Sequence, residues 1–196
     1  MILLAIDSSL GTSVAVVNGE GAVLAEEHSV DKRGHAESIG LLIERCLQKA
    51  EVFSSEVTGV VMGIGPGPYT GLRVGMAAAQ AFALSRGLPL YPVVSHDAEG
   101  WNRGDVVVVT DARRGEVAYS VYREGADAHR ILGPVLSRPE NLDASLGEYT
   151  TFRRVTPEVI SAAGLARVAL SHLEHSVEFP GTSPVYLRAP DVTVAS

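Results

Sequence analysis

The sequence predicts an α/β protein of two lobes, each built on a mixed β-sheet, with the second lobe cut short. Three observations carry this. Over the first hundred residues, apolar runs alternate with stretches of helical period in the order β-β-β-α-β-α-β. The opening of that order returns after a loop-prone stretch, Asp97–Asp105: Val106–Thr110 is an apolar run closed by Asp111, as Ile2–Ile6 is closed by Asp7. Finally, 196 residues are enough for two small lobes but not for two complete copies of the unit. The lobes are expected at 1–100 and 101–196.

Each element has its own reason. Ile2–Ile6 is a buried strand that stops at the turn formers Asp7-Ser8-Ser9-Leu10-Gly11-Thr12. Ser13–Val17 follows and ends at Asn18-Gly19, a dipeptide that readily takes positive φ, and Val23–His28 completes a meander. After His35 the period changes. Ile39, Leu42, Ile43, Cys46, Leu47 and Ala50 recur at spacings of three and four, the stripe of an amphipathic helix. Val60–Ile64 is a strand, and a glycine-proline loop leads into a second helix over Gly71–Ser85, stopped by Gly87 and Pro89. Leu88–Ser95 is the next strand. This order is that of a ribonuclease-H-like unit.

In the second half, Val106–Thr110, the hairpin Ala112-Arg113-Arg114-Gly115, Val117–Tyr122 and Arg130–Leu136 repeat the meander. One good helix remains to this lobe. Thr156 is its expected N-cap, Pro157 its first residue, and Val159, Ile160, Ala163, Ala166, Leu170 and Leu173 its apolar stripe.

Composition narrows the function classes. With 46% hydrophobic and 20% charged residues the chain is ordinary and globular, and its net charge of −7 argues against holding nucleic acid or an anionic membrane by its own field. The single cysteine, Cys46, excludes an intramolecular disulfide and multi-thiolate metal sites and fits a reducing compartment. Met1–Ile6 is too short for a signal-peptide core, and no run approaches the roughly 18 apolar residues of a membrane span. The expectation is a soluble, cytoplasmic protein.

The segment Gly63-Ile64-Gly65-Pro66-Gly67-Pro68-Tyr69-Thr70-Gly71 invites a phosphate-loop reading. It lacks the lysine of a Walker loop, and Pro66 and Pro68 delete two backbone N–H groups that such a loop would use, so a stiff structural turn is the stronger reading. Thr70 is placed to cap the following helix. Arg73 in its first turn opposes the helix dipole and calls for an acidic or phosphate partner, unless its charged end simply reaches solvent.

That helix is the most informative element. From Gly71 to Leu84 only Arg73 and Gln80 are polar, so the usual wet stripe of a surface helix is missing. Its small residues Gly71, Gly75, Ala78 and Ala79 would admit another helix closely, either the first helix of the same lobe or a second polypeptide, and the second is favoured.

Asp7 with Ser8, Ser9, Thr12 and Ser13 has the make-up of a hairpin for Mg²⁺ and phosphate, or of a turn satisfied by its own hydroxyls. The equivalent Asp111 hairpin has no hydroxyls. His172 and His175 share a helix face without an evident third metal ligand, and Ser95-His96-Asp97 are chain neighbours that do not converge as a triad. No catalytic constellation emerges from the sequence.

Three segments together resemble one family. Gly65-Pro66-Gly67-Pro68-Tyr69-Thr70-Gly71-Leu72-Arg73-Val74-Gly75 is similar to the GPGxxTGLRxG signature of the bacterial TsaB (YeaZ) proteins. Asp111-Ala112-Arg113-Arg114-Gly115-Glu116-Val117 resembles their DARxGEV segment, and Pro184-Val185-Tyr186-Leu187-Arg188 their PxYLR. Ala5-Ile6-Asp7-Ser8-Ser9 agrees as well. The resemblance implies an actin/hexokinase-like (ASKHA) fold of two ribonuclease-H-like lobes and a non-catalytic subunit of the machinery that places threonylcarbamoyl on adenosine beside the tRNA anticodon.

It further implies pairing with the transferase TsaD, docking of the ATPase TsaE on the pair, ATP and metal held by those partners, and tRNA met only through the complex. The pairing helices correspond to His35–Ala50 and Gly71–Ser85, which puts His35, Ser38, Leu42, Arg45, Gly71, Arg73, Gly75, Ala78, Ala79 and Phe82 at the expected interface. Between about Leu146 and Pro184 the likeness is weaker. Two rival readings remain: a small Mg-ATP-dependent kinase or ATPase using Asp7, Ser8, Ser9 and Thr12, and a homodimer built on the same helices. The family's old glycoprotease label finds no support in these residues.

Overall fold

The computed structural model describes residues 1–30, 35–125 and 130–188. The first sheet contains β1 (Ile2–Asp7), β2 (Thr12–Asn18), β3 (Val23–Ser29), β4 (Gly59–Gly63) and β5 (Leu90–Val93), in the order β3-β2-β1-β4-β5. β1 is antiparallel to β2 and parallel to β4. The second sheet contains β6 (Val106–Asp111), β7 (Val117–Tyr122), β8 (Arg130–Ser137) and β9 (Arg153–Val155), in the order β8-β7-β6-β9. β6 is antiparallel to β7 and parallel to β9, so the second sheet repeats the first without its fifth strand. Asp7 and Asp111 end equivalent strands, as their sequence surroundings suggest.

Strand geometry sends alternate side chains to opposite faces, and β1, β2 and β4 are apolar on both. Leu4, Ile6, Val14, Val16, Val60 and Met62 pack under α1 (His35–Lys49) and α2 (Tyr69–Arg86). Leu3, Ala5, Ala15, Val17, Val61 and Val93 pack under α5 (Ala162–Glu174). The helix expected to serve the second lobe therefore covers the far face of the first sheet. Its small residues permit this. A Cβ on Gly164 would stand 2.6 Å from the carbonyl oxygen of Ala98 in α3 (Asp97–Gly100), so only glycine lets the two helices approach this closely. Leu165 is fully buried there, worth about 2 kcal/mol.

Two helix starts differ from expectation. α2 begins at Tyr69 after Pro68, and Thr70 lies inside its first turn and does not cap it. α5 is capped by Ser161, whose Oγ accepts from the Gly164 N–H at 3.0 Å; Thr156 and Pro157 lie outside the helix. The segment before it is drawn out by long-range bonds. The Ile160 carbonyl accepts from Ser13 Oγ at 2.6 Å, and the Ser161 N–H donates to Glu99 at 3.0 Å. At the C-terminus of α2, Gly87 has φ 61°, and its N–H bonds back to the last turn.

The two sheets meet behind α3. His96 is fully buried, with Nδ1 2.8 Å from Ser120 Oγ and Nε2 2.9 Å from Thr110 Oγ1. Burial, reinforced by the charge of Arg130, lowers its pKa to about 3. Asp97 accepts from Tyr122 Oη at 2.7 Å and from Arg130 Nη1 at 2.9 Å. The second sheet has a smaller core of its own, in which Val107, Val109, Tyr119 and Val121 pack against Leu142 and Leu146 of α4 (Leu142–Leu146). No helix among the described residues is long and apolar enough to cross a membrane.

Candidate functional site: an inter-lobe cleft and an exposed helix face

The hairpin after β1 is buried throughout: Asp7, Ser8, Ser9 and Thr12 are each at most 3% exposed. Its hydroxyls are already used. Ser8 Oγ donates to the Gly71 carbonyl at 2.7 Å and accepts from the Gly75 N–H at 2.8 Å. Asp7 Oδ1 accepts from the Ser9 N–H at 2.7 Å and from Ser9 Oγ at 2.6 Å, while Oδ2 accepts from Ser95 Oγ at 2.5 Å. Burial raises the Asp7 pKa, opposed by these donors. The glycine-proline loop closes over the hairpin: a Cβ on Gly63 would lie 1.9 Å from Asp7 Oδ2, and one on Gly67 2.7 Å from Ser9 Cα. The four residues lie together in the hairpin, and the polar atoms of Asp7, Ser8 and Ser9 serve the junction between hairpin, loop and α2.

Between the loop and the second hairpin lies a cleft of about 560 Å³, continuous in its lining with a smaller hollow of about 210 Å³. Pro66–Tyr69 form one wall and Asp111–Arg114 the other, with Tyr186, Leu187 and Arg188 as floor. Arg113, Arg114 and Gly115 take φ of 65°, 56° and 70°, a left-handed tip stabilised in part by Arg113 N–H donating to Asp111 Oδ1 at 2.9 Å.

Arg73 is exposed, and tyrosine side chains hold its charged end. Its Nε donates to Tyr186 Oη at 2.6 Å, and its guanidinium sits 4.0 Å from the Tyr69 ring centroid. Tyr69 and Tyr186 stack at 4.7 Å. Two aromatic rings thus answer the cation that the helix dipole disfavours.

The face offered by α1 and α2 is narrower than the sequence suggests. Gly71, Gly75 and Ala79 are buried against their own lobe, and a Cβ on Gly75 would stand 2.3 Å from Ser8 Oγ. Leu42 is in the core. These four are corrections to the expected interface: the small-residue stripe lets α2 sit down on the β1 hairpin, not on another molecule.

Ser38, Ala78 and Phe82 are half-buried, whereas Arg45 and Arg73 are exposed. His35 opens α1, and its side chain lies outside the described residues. Outward-facing residues that the sequence reading missed are Leu41 at 46% exposure, Ala77, Ala81, and Leu84 at 85%. The signal was present in the register. Leu72, Met76, Ala79 and Ala83 mark the inner face at spacings of four, three and four, so at about 100° per residue Ala77, Ala81 and Leu84 point away from it.

The remaining sequence candidates disperse. Ser95 serves Asp7, His96 serves Ser120 and Thr110, and Asp97 serves Tyr122 and Arg130. His172 lies between Trp101 and Phe179, with ring centroids at 5.6 and 5.3 Å, while His175 Nδ1 is 2.9 Å from the Ser171 carbonyl. Among the described residues no group of three or more His, Cys, Asp or Glu side chains is placed to hold a metal ion.

Comparison with known proteins agrees with this geometry. Residues 22–181 match the family described as TsaD, tRNA N6-adenosine threonylcarbamoyltransferase. An uncharacterised protein of Mycobacterium bovis is 36% identical over 202 residues, covering 96% of this chain and 92% of that protein. An uncharacterised protein of Mycobacterium leprae is 43% identical over 147 residues, and the match spans only 40% of its length. A tRNA N6-adenosine threonylcarbamoyltransferase of Streptococcus mutans is 39% identical over 107 residues, 32% of its length and 46% of this chain.

In fold, YeaZ from Pseudomonas aeruginosa superposes with a TM-score of 0.73 at 22% identity, over 94% of this chain and all of that one. Both share an α/β architecture, which here consists of two mixed sheets with a repeated strand order. The chain belongs to the TsaD family, described as tRNA N6-adenosine threonylcarbamoyltransferase, and its fold is that of YeaZ.

Proposed function

We propose that this chain is a non-catalytic subunit in the formation of threonylcarbamoyladenosine next to the tRNA anticodon, and that it works by docking its α1–α2 face on a TsaD-type transferase. The observation that carries the reading is the outer face of α2. Ala77, Ala81 and Leu84 are exposed there, and Leu41 and Arg45 of α1 and Arg73 of α2 are exposed as well. A leucine left 85% exposed on a helix that already buries its other face gains about 2 kcal/mol when a partner covers it. In this reading the chain holds no cofactor of its own. ATP and metal belong to the transferase and to the ATPase TsaE that joins the pair, tRNA is met only through the complex, and the complex works in the cytoplasm. The inward use of the Ser8 and Ser9 hydroxyls supports this, because a Mg-phosphate site at Asp7 would need them turned outward.

Reconstitution of threonylcarbamoyl transfer with the subunit left out and added back tests the proposal. Transfer should depend on its addition, and Ala81→Arg should abolish both the complex and the stimulation. An Ala81→Arg protein that folds, binds the transferase and stimulates normally overturns the docking face. Calorimetric titration of the isolated chain with Mg-ATP addresses the enzyme reading, which predicts micromolar binding with turnover. Sedimentation without the transferase addresses the homodimer.

A further inference from the structure

We propose that Pro184–Arg188 is an inter-lobe strap through which the first turn of α2 controls the mouth of the cleft. The segment is anchored at both ends, on different lobes. On the first lobe, Val185 N–H donates to the Ile64 carbonyl at 2.8 Å, and Tyr186 stacks on Tyr69 while accepting from Arg73. On the second, two residues further on, Arg188 donates to the carbonyls of Ala112 at 3.1 Å and Arg113 at 3.3 Å and forms an ion pair with Glu116.

Five consecutive residues therefore connect the glycine-proline loop and α2 to the tip of the Asp111 hairpin. The last three, Tyr186, Leu187 and Arg188, also line the cleft between them. The strap crosses the cleft, while His96 and Asp97 join the lobes behind α3. With the lobes joined at the back and strapped at the front, the aperture depends on whether Arg188 keeps its grip.

The coupling follows from the shared residues. Only Leu187 separates Tyr186 from Arg188, and two residues of chain span at most about 7 Å, so a displacement of Tyr186 carries the Arg188 backbone with it. Tyr186 is seated by Arg73 and Tyr69, which are exposed on the first turn of α2. Charge-assisted bonds from a guanidinium to a carboxylate and two carbonyls are strong and directional, so the hairpin end is a defined latch and not a diffuse contact. A molecule that covers or pulls on Arg73 reaches the second lobe through this path. The last step rests on the docking reading above; the strap itself does not.

Hydrogen–deuterium exchange on the full chain tests it. Arg188→Ala should speed exchange of the 112–116 amides about tenfold, and Arg73→Ala, on the other lobe, should speed the same amides in the same direction. Tyr186→Phe, which keeps the stack and removes the acceptor, should give a smaller effect of the same sign. Amides of β6 and β7 should stay protected in all three, which reports intact folding. Hairpin exchange within twofold of wild type in Arg73→Ala overturns the strap. In a second arm, the transferase is added to the wild-type chain and should slow the hairpin. A complex that forms without slowing it overturns the link to docking. Failure to form any complex counts against the docking reading alone, because the Arg73→Ala comparison still decides the strap.

Discussion

Leu84→Ala measures the energy of the docking face directly. The side chain is 85% exposed on the isolated chain, and the substitution removes three carbons. At about 0.8 kcal/mol per buried carbon, scaled by that exposure, the loss on docking is about 2 kcal/mol, or roughly a 30-fold weaker Kd. The isolated chain should lose almost nothing, within about 0.5 kcal/mol, because alanine is at least as good a helix former and no core contact is removed. The assay is calorimetric titration against the transferase, paired with urea unfolding of the variant alone. A Kd within threefold of wild type, in a complex that otherwise forms, would refute the reasoning, since so exposed a leucine cannot lie under a partner and contribute nothing.

Other outcomes follow from the buried contacts. Gly75→Ala would gain about 1 kcal/mol of helix propensity on an open face, but its Cβ would stand 2.3 Å from Ser8 Oγ, so urea unfolding should show a net loss of about 1–3 kcal/mol. Stabilisation would show that α2 does not rest on the hairpin. Asp7→Asn should leave reconstituted transfer within about threefold after correction for folded protein, whereas loss of a metal-site residue costs on the order of 10–100-fold. His96, with its pKa lowered to about 3 by burial, stays neutral while the unfolded chain takes up a proton below pH 6.5.

Its contribution to stability is therefore complete above pH 6.5 and falls on acidification towards pH 3, by up to about 1.4 kcal/mol per pH unit. His172, also lowered by burial, acts in the same sense, while Asp7 and Asp97, raised by burial, act in the opposite one. The comparison of wild type with His96→Gln isolates the term. Between pH 6.5 and 5 the wild type should lose about 2 kcal/mol more than the variant in urea unfolding, and equal slopes would contradict a neutral buried His96.

How much of this was readable beforehand varies by residue. The strand order, the two aspartates at equivalent strand ends and the glycine stop of α2 were legible because they are local: apolar runs, turn formers and a positive-φ residue act within a few positions of themselves. Thr70 and Thr156 misled for the same reason. Each has the chemistry of a cap, but Pro68 had already started one helix, and long-range bonds from Ser13 and Glu99 held the chain extended before the other.

The sequence by itself determined that α2 has no polar stripe and that the Asp7 hairpin carries hydroxyls. Only the tertiary structure decided which way those features face. Small residues permit close approach without saying to what, and here Gly71 and Gly75 rest on the β1 hairpin and Ala79 on the core, leaving Ala77, Ala81 and Leu84 outside. An apolar strand likewise demands cover on both faces without naming its source. α5 supplies the second cover from far along the chain, because burial depends on distance in space and the sequence records distance along the chain.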